Sequence, residues 1–363
     1  MTEKVLMKGN EAFAEAAMRG GCRYYFGYPI TPQSEIPEYM SRELPKRGGC
    51  FVQAESELGA INMTYGAGAA GGCVFISSSS PGISLMQEGM SFLASAEVPA
   101  VILNVSRCGP GIGGIQPGQA DYFQVTRGGG NGDYHMPVFA PHNMQEAVDL
   151  IYEAPALAEK WRTPVMILAD GMMGQMMEPV SLPEPKPMLA AKDIAARKDW
   201  AITGWDDRGG DRNRRVVKSL RLQPEALEEH VERLFARYRE AEPELIRFEA
   251  VNLKGAQIVF VAYGTIARLT LEVMDLLAEQ GVKAGLIRPV SLWPFPECAF
   301  DLIDKSATKV VVSAELSMGQ LLDDVKRAVC GRFPVELIYR TGGIIPTSLE
   351  VAEKAKAILE GLK

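Results

Sequence analysis

The sequence predicts an α/β protein with a doubly wound parallel sheet, followed by a second α/β unit. Short apolar strands alternate with helical segments through the first 180 residues, as in parallel strands joined by crossover helices. The proline-rich stretch EPVSLPEPKP at 178–187 interrupts this pattern, and the alternation resumes near residue 251. We therefore predict a first domain over 1–180, a linker and polar insertion over 181–250, and a second domain over 251–363.

The elements of the first unit follow one another at short intervals. Helices are predicted over 8–20, 33–44 and 57–70 and from about Ser84, and strands over 22–26, 51–55, 73–76, 100–105 and 165–169. Ser56 suits the N-cap of the helix over 57–70, in which Leu58, Ile61 and Tyr65 are spaced to share one face. Glycine and alanine keep that helix thin, so we expect a close neighbour.

Polar side chains fall at the carboxyl ends of the predicted strands, where doubly wound sheets bind their ligands. These side chains are Thr31, Glu55, Glu57, Ser77 to Ser80 and Arg107. Thr31 lies in the segment GYPITPQSE at 27–35, where Pro29 and Pro32 restrict the backbone on either side of Ile30 and Thr31. We interpret the glycine-rich loops at 109–118 and 128–132 as chain reversals, one of which could also line the mouth of a site or a subunit contact.

The second unit repeats the strand and helix alternation. Its strands are predicted over 257–262, 283–287, 309–312 and 335–338, and its helices over 265–280, 296–305, 318–330 and 347–361. The more polar segment 190–250 contains a charged helix near 224–248 and the loop GWDDRGGDRNRR at 204–215. Because aspartates are interspersed among the arginines, we interpret this loop as solvated surface rather than an RNA site.

Composition excludes several functional classes. A net charge of −7 and a pI near 5.3 argue against a nucleic-acid surface and favour a cytoplasmic protein, and no apolar run reaches membrane-spanning length. The six cysteines form no C-x-x-C pair, which argues against an internal ferredoxin-type cluster and favours reduced thiols. The three histidines lack metal-ligand spacing, no P-loop motif occurs, and a dinucleotide motif is not formed after a strand.

Several motifs taken together resemble the alpha subunit of the 2-oxoacid:ferredoxin oxidoreductases. They are GNEA at 9–12, GYPITPQSE at 27–35, QAESELGAI at 53–61, SSSSPGISLMQEG at 77–89 and Arg107 with the GPG that follows. The resemblance is closest to the 2-ketoisovalerate (3-methyl-2-oxobutanoate) branch, and the 2-oxoglutarate branch shares most of the motifs. AYGTIAR at 262–268, IRPVSLWPFP at 287–296 and AELSMGQLLDDV at 314–325 look like the family's second domain. The resemblance implies a pyrimidine-type thiamine-diphosphate-binding domain followed by a transketolase C-terminal-like domain.

The resemblance also implies an activity and roles for individual residues. The family oxidatively decarboxylates 2-oxoacids with thiamine diphosphate and coenzyme A, and a glutamate hydrogen-bonds N1′ of the aminopyrimidine. Glu57, before Leu58-Gly59-Ala60, matches that glutamate better than Glu55, which remains the alternative. Pro29, Ile30 and Glu55 are expected beside the cofactor. Thr31 is expected to contact the substrate oxygens, and Arg107 to pair with the substrate carboxylate.

The other half of the cofactor site is not recognisable in this sequence. Asp170 and Gly171 follow Ala169, so the G-D-G motif that binds Mg²⁺ and diphosphate in thiamine enzymes is not formed. The resemblance therefore implies a beta subunit that supplies Mg²⁺, the diphosphate site and at least one [4Fe-4S] cluster. Gamma and ferredoxin-like delta subunits are expected as well, with ferredoxin as electron acceptor. The isolated chain should be inactive.

Alternative functions and substrates remain open. A stand-alone thiamine decarboxylase or transketolase-like enzyme conflicts with the absent diphosphate motif, and a non-catalytic subunit with the retained Glu57, Thr31 and Arg107. The substrate is either a branched-chain 2-oxoacid or 2-oxoglutarate. A second substrate carboxylate would need its own buried cation, and Arg127 is the one further arginine near Arg107 in the sequence. This observation favours a branched-chain 2-oxoacid.

Overall fold

Three sheets organise the described part of the computed structural model, which comprises residues 4–187, 189, 191–204 and 215–361. The strands are β1 Lys4–Lys8, β2 Tyr24–Gly27, β3 Cys50–Gln53, β4 Val74–Ser78, β5 Val101–Ser106, β6 Val138–Phe139, β7 Val165–Asp170, β8 Met177–Ser181, β9 Phe248–Val251, β10 Ile258–Val261, β11 Ala284–Pro289, β12 Ser291–Trp293, β13 Val310–Glu315 and β14 Val335–Tyr339. The α-helices are α1 Gly9–Arg19, α2 Glu35–Glu43, α3 Glu57–Ala69, α4 Ser80–Ser95, α5 Tyr122–Thr126, α6 Met144–Trp161, α7 Gly171–Gln175, α8 Ala191–Arg197, α9 Pro224–Leu245, α10 Gly264–Glu279, α11 Gln320–Val329 and α12 Ser348–Gly361. Pro45–Arg47 and Glu297–Leu302 form short 3₁₀ helices.

The largest sheet has the strand order β12-β6-β7-β5-β4-β2-β3. All of its neighbouring strands run parallel except β12, which pairs antiparallel with β6. Along the chain, β3 is added on one side of β2 and β4 on the other, so the winding reverses between β2 and β4. At such a reversal the loops after the two strands leave towards opposite faces and open a crevice at their carboxyl ends.

Helices cover both faces of this sheet, as the continuous apolar strands predict. The six residues of β5 and the six of β7 are all buried. One face packs against α1, α2 and α6 through residues such as Phe13, Ile36 and Ile151. The other face packs against α3 and α4 through Ile61 and Met86, and this core continues into the second unit.

The second unit contains a five-stranded sheet of order β14-β13-β10-β11-β9, in which only the edge strand β9 is antiparallel to its neighbour. Helices α10 and α12 cover one face of this sheet. Strand β12 leaves the second unit to join β6 at the edge of the first sheet, where Ser291 pairs with Phe139. The smallest sheet pairs β1 with β8, so Glu178 to Ser181 of the proline-rich stretch belong to a strand.

The predicted α/β fold is confirmed, and three local predictions need comment. The helix predicted from about Ser84 begins at Ser80, because Pro81 occupies the first turn, where its missing N–H costs nothing. Leu58 is 46% exposed and does not share the buried face of Ile61; the buried stripe of α3 runs through Ala60, Ile61 and Thr64. Most of the predicted loop at 204–215 lies outside the described residues.

The close neighbours expected for α3 are the segment after α4 and α4 itself; a Cβ added at Gly68 of α3 would lie 2.6 Å from Cγ1 of Val98. A Cβ added at Gly89 of α4 would lie 2.6 Å from Cγ2 of Ile61, so the two helices approach closely at this glycine. The expected N-cap is also present, since the backbone N–H of Gly59 donates to Oγ of Ser56 at 3.1 Å. Among the described helices, none is long and apolar enough to cross a membrane.

Candidate active site

The predicted site residues lie along the carboxyl edge of the first sheet, at the ends of β5, β4, β2 and β3. These four strands are neighbours in the sheet, and the crevice at the winding reversal opens between β2 and β4. Thr31 follows β2, Glu57 opens the helix after β3, Ser80 opens the helix after β4, and Arg107 follows β5. The structure thus places these residues, which are far apart in the sequence, along one edge of the sheet.

Glu57 and Glu55 have different environments. Glu57 is 5% exposed and begins α3, whereas Glu55 is exposed and its carboxylate lies over Gly59. A Cβ added at Gly82 would lie 2.5 Å from Oε1 of Glu57 and closer still to Oγ of Ser78, so only glycine fits between these two groups. No hydrogen bond to the Glu57 carboxylate is formed by any described residue. Glu57 is therefore a buried carboxylate whose hydrogen-bonding capacity is unused.

Two buried hydroxyls at the end of β4 share this property. Ser78 and Ser79 are fully buried, and neither Oγ atom has a hydrogen-bond partner among the described residues. Buried polar groups are ordinarily hydrogen-bonded, so unpaired hydroxyls next to an unpaired carboxylate mark a place for a polar ligand or water. The absent Cβ of Gly82 makes room for the Glu57 carboxylate and the Ser78 hydroxyl and so sets where these two groups lie.

The loop after β2 is held in place from several sides. Nδ2 of Asn10 and Nε2 of Gln175 both donate to the main-chain carbonyl of Pro32, at 2.8 and 2.9 Å. The loop thereby presents Thr31 in an exposed position beside the crevice. Of the other predicted cofactor contacts in this loop, Pro29 is exposed and Ile30 is half-buried.

A chain of buried hydrogen bonds connects this loop to the sheet. Oγ of Ser77 donates to Oε1 of Gln33 at 2.7 Å, and the hydroxyl of Tyr25 lies 2.8 Å from the same Oγ. All three side chains are essentially fully buried, and burial raises the pKa of the Tyr25 phenol. A satisfied buried network of this kind fixes the position of the loop that follows β2.

Arg107 joins two loops. Its Nη1 donates to the main-chain carbonyl of Thr31 at 2.8 Å and its Nη2 to that of Ile112 at 2.9 Å. The residue is 7% exposed, and its Nε has no partner among the described residues. Its guanidinium is thus held at the crevice by two neutral carbonyl groups. These two contacts do not neutralise its positive charge.

Asp121 lies behind Arg107 and was not recognised in the sequence. The Ser80 hydroxyl donates to Oδ2 of Asp121 at 2.7 Å and accepts from the backbone N–H of Arg107 at 2.9 Å. Asn104 also donates to Oδ2 of Asp121, at 2.8 Å. Burial raises the pKa of Asp121, and the hydrogen bonds from Ser80 and Asn104 oppose that rise. A charged residue after a glycine-rich loop is a weak signal, so the sequence alone did not identify it.

Two clefts adjoin these residues. One, of about 530 Å³, is lined by Thr31, Glu35, Met172, Ile115 and Ile345 among others. The second, of about 880 Å³, lies between the two units and is lined by residues including Ser80, Cys108, Ile112, Asp121, Leu316 and Met318. The glycine-rich loop at 109–118 therefore contributes to both clefts. Neither lining includes a lysine or arginine among the described residues.

Asp170, at the end of β7, has a structural role. Its Oδ1 accepts hydrogen bonds from the backbone N–H groups of Met172 and Met173, at 3.0 and 3.1 Å, and so caps α7. The residue is 4% exposed; burial raises its pKa, and hydrogen bonds from Thr265 and the α7 backbone oppose that rise. One oxygen of the carboxylate is thus committed to a helix end.

Family comparisons agree with this architecture. The family described as pyruvate flavodoxin/ferredoxin oxidoreductase, thiamine-diphosphate-binding, matches residues 15–246. The family described as pyruvate:ferredoxin oxidoreductase core domain II matches residues 256–351. The first match alone covers more than half of the chain.

Individual relatives point in the same direction. The chain is 44% identical to ketoisovalerate oxidoreductase subunit VorB of Methanothermobacter marburgensis, over 97% of each chain. It is 39% identical to 2-oxoglutarate synthase subunit KorA of Archaeoglobus fulgidus, over 99% of each.

Two solved structures share the fold. The 2-oxoglutarate:ferredoxin oxidoreductase from Magnetococcus marinus, solved with 2-oxoglutarate, coenzyme A and succinyl-CoA bound, matches with a TM-score of 0.83 and 25% identity. The match covers 99% of this chain and 66% of that one. A split gene transketolase, at 14% identity and a TM-score of 0.57, shares the fold over 98% of this chain. These comparisons confirm the predicted fold, and the chain belongs to the 2-oxoacid:ferredoxin oxidoreductase family, as a subunit of such an enzyme.

Proposed function

We propose that this chain carries the pyrimidine half of a shared thiamine diphosphate site and acts on a branched-chain 2-oxoacid, with 2-ketoisovalerate as the first choice. The products would be an acyl-CoA, CO2 and reduced ferredoxin, formed in the cytoplasm. The observation that carries this proposal is the buried, unpaired carboxylate of Glu57 against Gly82 at the winding reversal of the sheet.

The residues at this corner fit the pyrimidine ring of the cofactor. Glu57 offers a carboxylate to N1′, Gly82 makes room for that carboxylate, and Ser78 and Ser79 offer hydroxyls that have no partner among the described residues. Thiamine diphosphate supplies the carbon nucleophile that makes decarboxylation possible. The part of this chain is to hold a proton between Glu57 and the ring and to exclude water from the buried corner. We retain Glu57 over Glu55, which is exposed and lies over Gly59.

Thr31 and Arg107 would bind the substrate. The Thr31 side chain is exposed beside the cleft of about 530 Å³, and its carbonyl is held by Arg107. Among the described residues no carboxylate lies within salt-bridge distance of Arg107, so its positive charge would be available for the carboxylate of a 2-oxoacid. Asp121 lies near enough to stabilise that charge electrostatically.

The surroundings favour a substrate with one carboxylate. Arg127, the further arginine near Arg107 in the sequence, pairs with the buried Asp324 at 3.2 Å and stacks over Phe123. The described lining of both clefts contains no lysine or arginine, and besides Arg107 the described residues show no second buried cation there for the distal carboxylate of 2-oxoglutarate. The ketoisovalerate relatives agree with this choice. The runner-up substrate, 2-oxoglutarate, is favoured by the KorA relatives and by the ligand of the solved oxidoreductase.

Partner chains would complete the site. Several large apolar side chains around the carboxyl edge of the first sheet are exposed to solvent. They include Leu58 (46% exposed), Leu85 (56%), Ile112 (80%) and Met318 (70%). Such a rim suits a protein interface. We assign this face to a beta subunit that brings Mg²⁺, the diphosphate site and at least one [4Fe-4S] cluster. Gamma and ferredoxin-like delta subunits would complete the complex, with ferredoxin as the acceptor.

The test is coenzyme-A-dependent reduction of ferredoxin or a viologen dye by the purified native complex. 2-Ketoisovalerate, 2-oxoglutarate and pyruvate are supplied in parallel, with thiamine diphosphate and Mg²⁺ present, and the isolated chain is assayed alongside. We expect fast turnover of 2-ketoisovalerate by the complex and none by the isolated chain. Preference for 2-oxoglutarate would overturn the substrate proposal, activity of the isolated chain would overturn the shared site, and no turnover of any 2-oxoacid would favour a non-catalytic subunit.

A further inference from the structure

Two cysteines meet at the edge of the first sheet opposite the candidate active site. Cys22 lies two residues before β2 and Cys73 immediately before β4, and their sulfur atoms are 3.7 Å apart. The backbone N–H of Arg23 donates to the carbonyl of Cys73 at 2.9 Å, so the entries of the two strands are already tied together. The two residues are separated by 51 positions, and for this reason the cysteine spacing in the sequence did not reveal the pair.

The two thiols have different access to solvent. Cys22 is 1% exposed, whereas Cys73 is half-buried. The hydrogen bond between the two sulfurs lowers the pKa of Cys73; burial opposes this, and the nearby Lys198 ammonium adds to the lowering. The same hydrogen bond, together with burial, raises the pKa of Cys22. Cys73 is thus the accessible and more acidic thiol of the pair, as an attacking cysteine requires.

We propose that Cys22 and Cys73 form a reversible dithiol–disulfide couple that exchanges with low-molecular-weight disulfides. The Cys73 thiolate attacks one sulfur of the small disulfide and releases the first small thiol. Cys22 then loses its proton, attacks Sγ of Cys73 and releases the second small thiol. One protein disulfide forms, the small disulfide is reduced to two thiols, and two electrons and two protons pass to those thiols.

The geometry makes the second step short. The sulfurs must approach from 3.7 Å to about 2.05 Å, the length of a disulfide bond. Both cysteines stand at strand entries that the sheet and the Arg23 hydrogen bond already hold side by side. The couple also lies on the two strands whose other ends carry Thr31 and Ser78, so its oxidation would tie together the strands that flank the crevice.

The chain contains its own reference cysteines. Cys50, Cys298 and Cys330 are exposed, so they report general thiol reactivity under the same conditions. An exposed cysteine should form a mixed disulfide with the small thiol. The Cys22 and Cys73 pair should instead release the small thiol and leave an internal bond.

The test equilibrates the full-length chain anaerobically in buffers of reduced and oxidised glutathione, traps remaining thiols by alkylation in denaturant so that the buried Cys22 is reached, and identifies the products by peptide mass spectrometry. We expect a peptide cross-linked between Cys22 and Cys73 that lacks two hydrogens and reverts on reduction. In Cys22→Ser, Cys73 should keep its glutathione; in Cys73→Ser, Cys22 should remain alkylatable; Cys298→Ser should leave the cross-link unchanged.

The wild-type measurement decides the matter even if a serine variant fails to fold. If both cysteines remain fully alkylatable in oxidised glutathione while Cys298 acquires glutathione, the proposed couple is refuted. If Cys22 rather than Cys73 keeps glutathione in the complementary variants, the assignment of the attacking thiol is refuted. None of these outcomes depends on the substrate or partners proposed above.

Discussion

Arg107 and Thr31 are joined by a hydrogen bond of 2.8 Å from the guanidinium Nη1 to the main-chain carbonyl. The second terminal nitrogen of the same guanidinium reaches the carbonyl of Ile112 at 2.9 Å. One side chain therefore fixes the loop after β2 against the loop after β5. The residue expected to bind the substrate carboxylate also sets the position of the residue expected to contact the substrate oxygens.

Replacing Arg107 by lysine should impair substrate binding while keeping the charge. A lysine ammonium cannot span two carbonyls with a planar fork, and the loss of a charge-assisted hydrogen bond corresponds to about a 10- to 100-fold rise in KM. The measurement is KM and kcat for the 2-oxoacid in the reconstituted complex. Arg127→Lys is the control, because Arg127 pairs with Asp324 away from Thr31. Equal KM values for the two variants would contradict the role of Arg107.

Replacing Glu57 by glutamine should abolish most of the turnover. The substitution keeps the shape of the side chain but removes the carboxylate that would share a proton with the cofactor. Loss of such a group typically lowers the turnover rate by about 100-fold or more. Viologen reduction by the reconstituted complex measures it. Glu55→Gln is the matched control, since Glu55 is exposed, and it should remain active. Full activity of Glu57→Gln would refute the catalytic role of Glu57 and would favour a non-catalytic subunit.

Replacing Gly82 by alanine should displace the Glu57 carboxylate without changing Glu57 itself. The added methyl group would collide with Glu57 and Ser78, so we expect loss of turnover and weaker binding of thiamine diphosphate. Gly66→Ala in α3 is the control, because nothing lies within 4 Å of its added Cβ. Gly66→Ala should raise the free energy of unfolding by about 0.5–1 kcal/mol and leave activity unchanged. An active Gly82→Ala enzyme would show that turnover does not depend on the position of the Glu57 carboxylate beside Gly82.

Acid should weaken the contact between the two units through Glu146. The fully buried Arg288 on β11 donates to both oxygens of Glu146 on α6, at 2.8 and 3.0 Å. Burial alone would raise the pKa of Glu146, but hydrogen bonds from His142 and Arg288 lower it from 4.5 to about 2. Because this pKa is lower in the folded protein, the stabilisation is complete above about pH 4.5 and is lost as the pH falls towards 2.

Urea unfolding of wild type and Glu146→Gln between pH 6 and 2.5 tests this effect. At pH 6 the variant should be less stable by about 1.5–3 kcal/mol, because Arg288 loses the Glu146 carboxylate but keeps Glu249 at 2.9 Å, and the difference should shrink as the pH falls. Glu244→Gln removes an exposed pair with Lys160 and should change stability by less than about 1 kcal/mol. A pH-independent difference between wild type and Glu146→Gln would contradict the assigned pKa.

The fold was predictable because burial leaves a direct mark on the sequence. The mostly apolar strands β5 and β7 are buried on both faces, as strands of a parallel sheet covered by helices are, and Asn104 is the one polar residue inside β5. The start of α4 was mispredicted because Ser79, Ser80 and Pro81 resemble a turn. Asp121 and Gln33 were missed because their roles depend on contacts with Ser80 and Ser77, which are 41 and 44 positions away. Motifs led to the prediction of Thr31, Glu57 and Arg107 as site residues, whereas the side chains that contact them became visible only in the folded structure.

Strand β12 makes the first sheet depend on a strand from the second unit. Ser291 to Trp293 cover the edge of the two-residue strand β6, and the Trp293 ring stacks on His135 with the ring centroids 4.5 Å apart. A gene truncated between the two matched family regions would expose the backbone edge of Val138 and Phe139 and uncover an aromatic surface. The shortened product would tend to associate with itself through that edge. Fusions and deletions in this family should therefore keep residues 291–293 with the first sheet, or replace them with a strand from another chain.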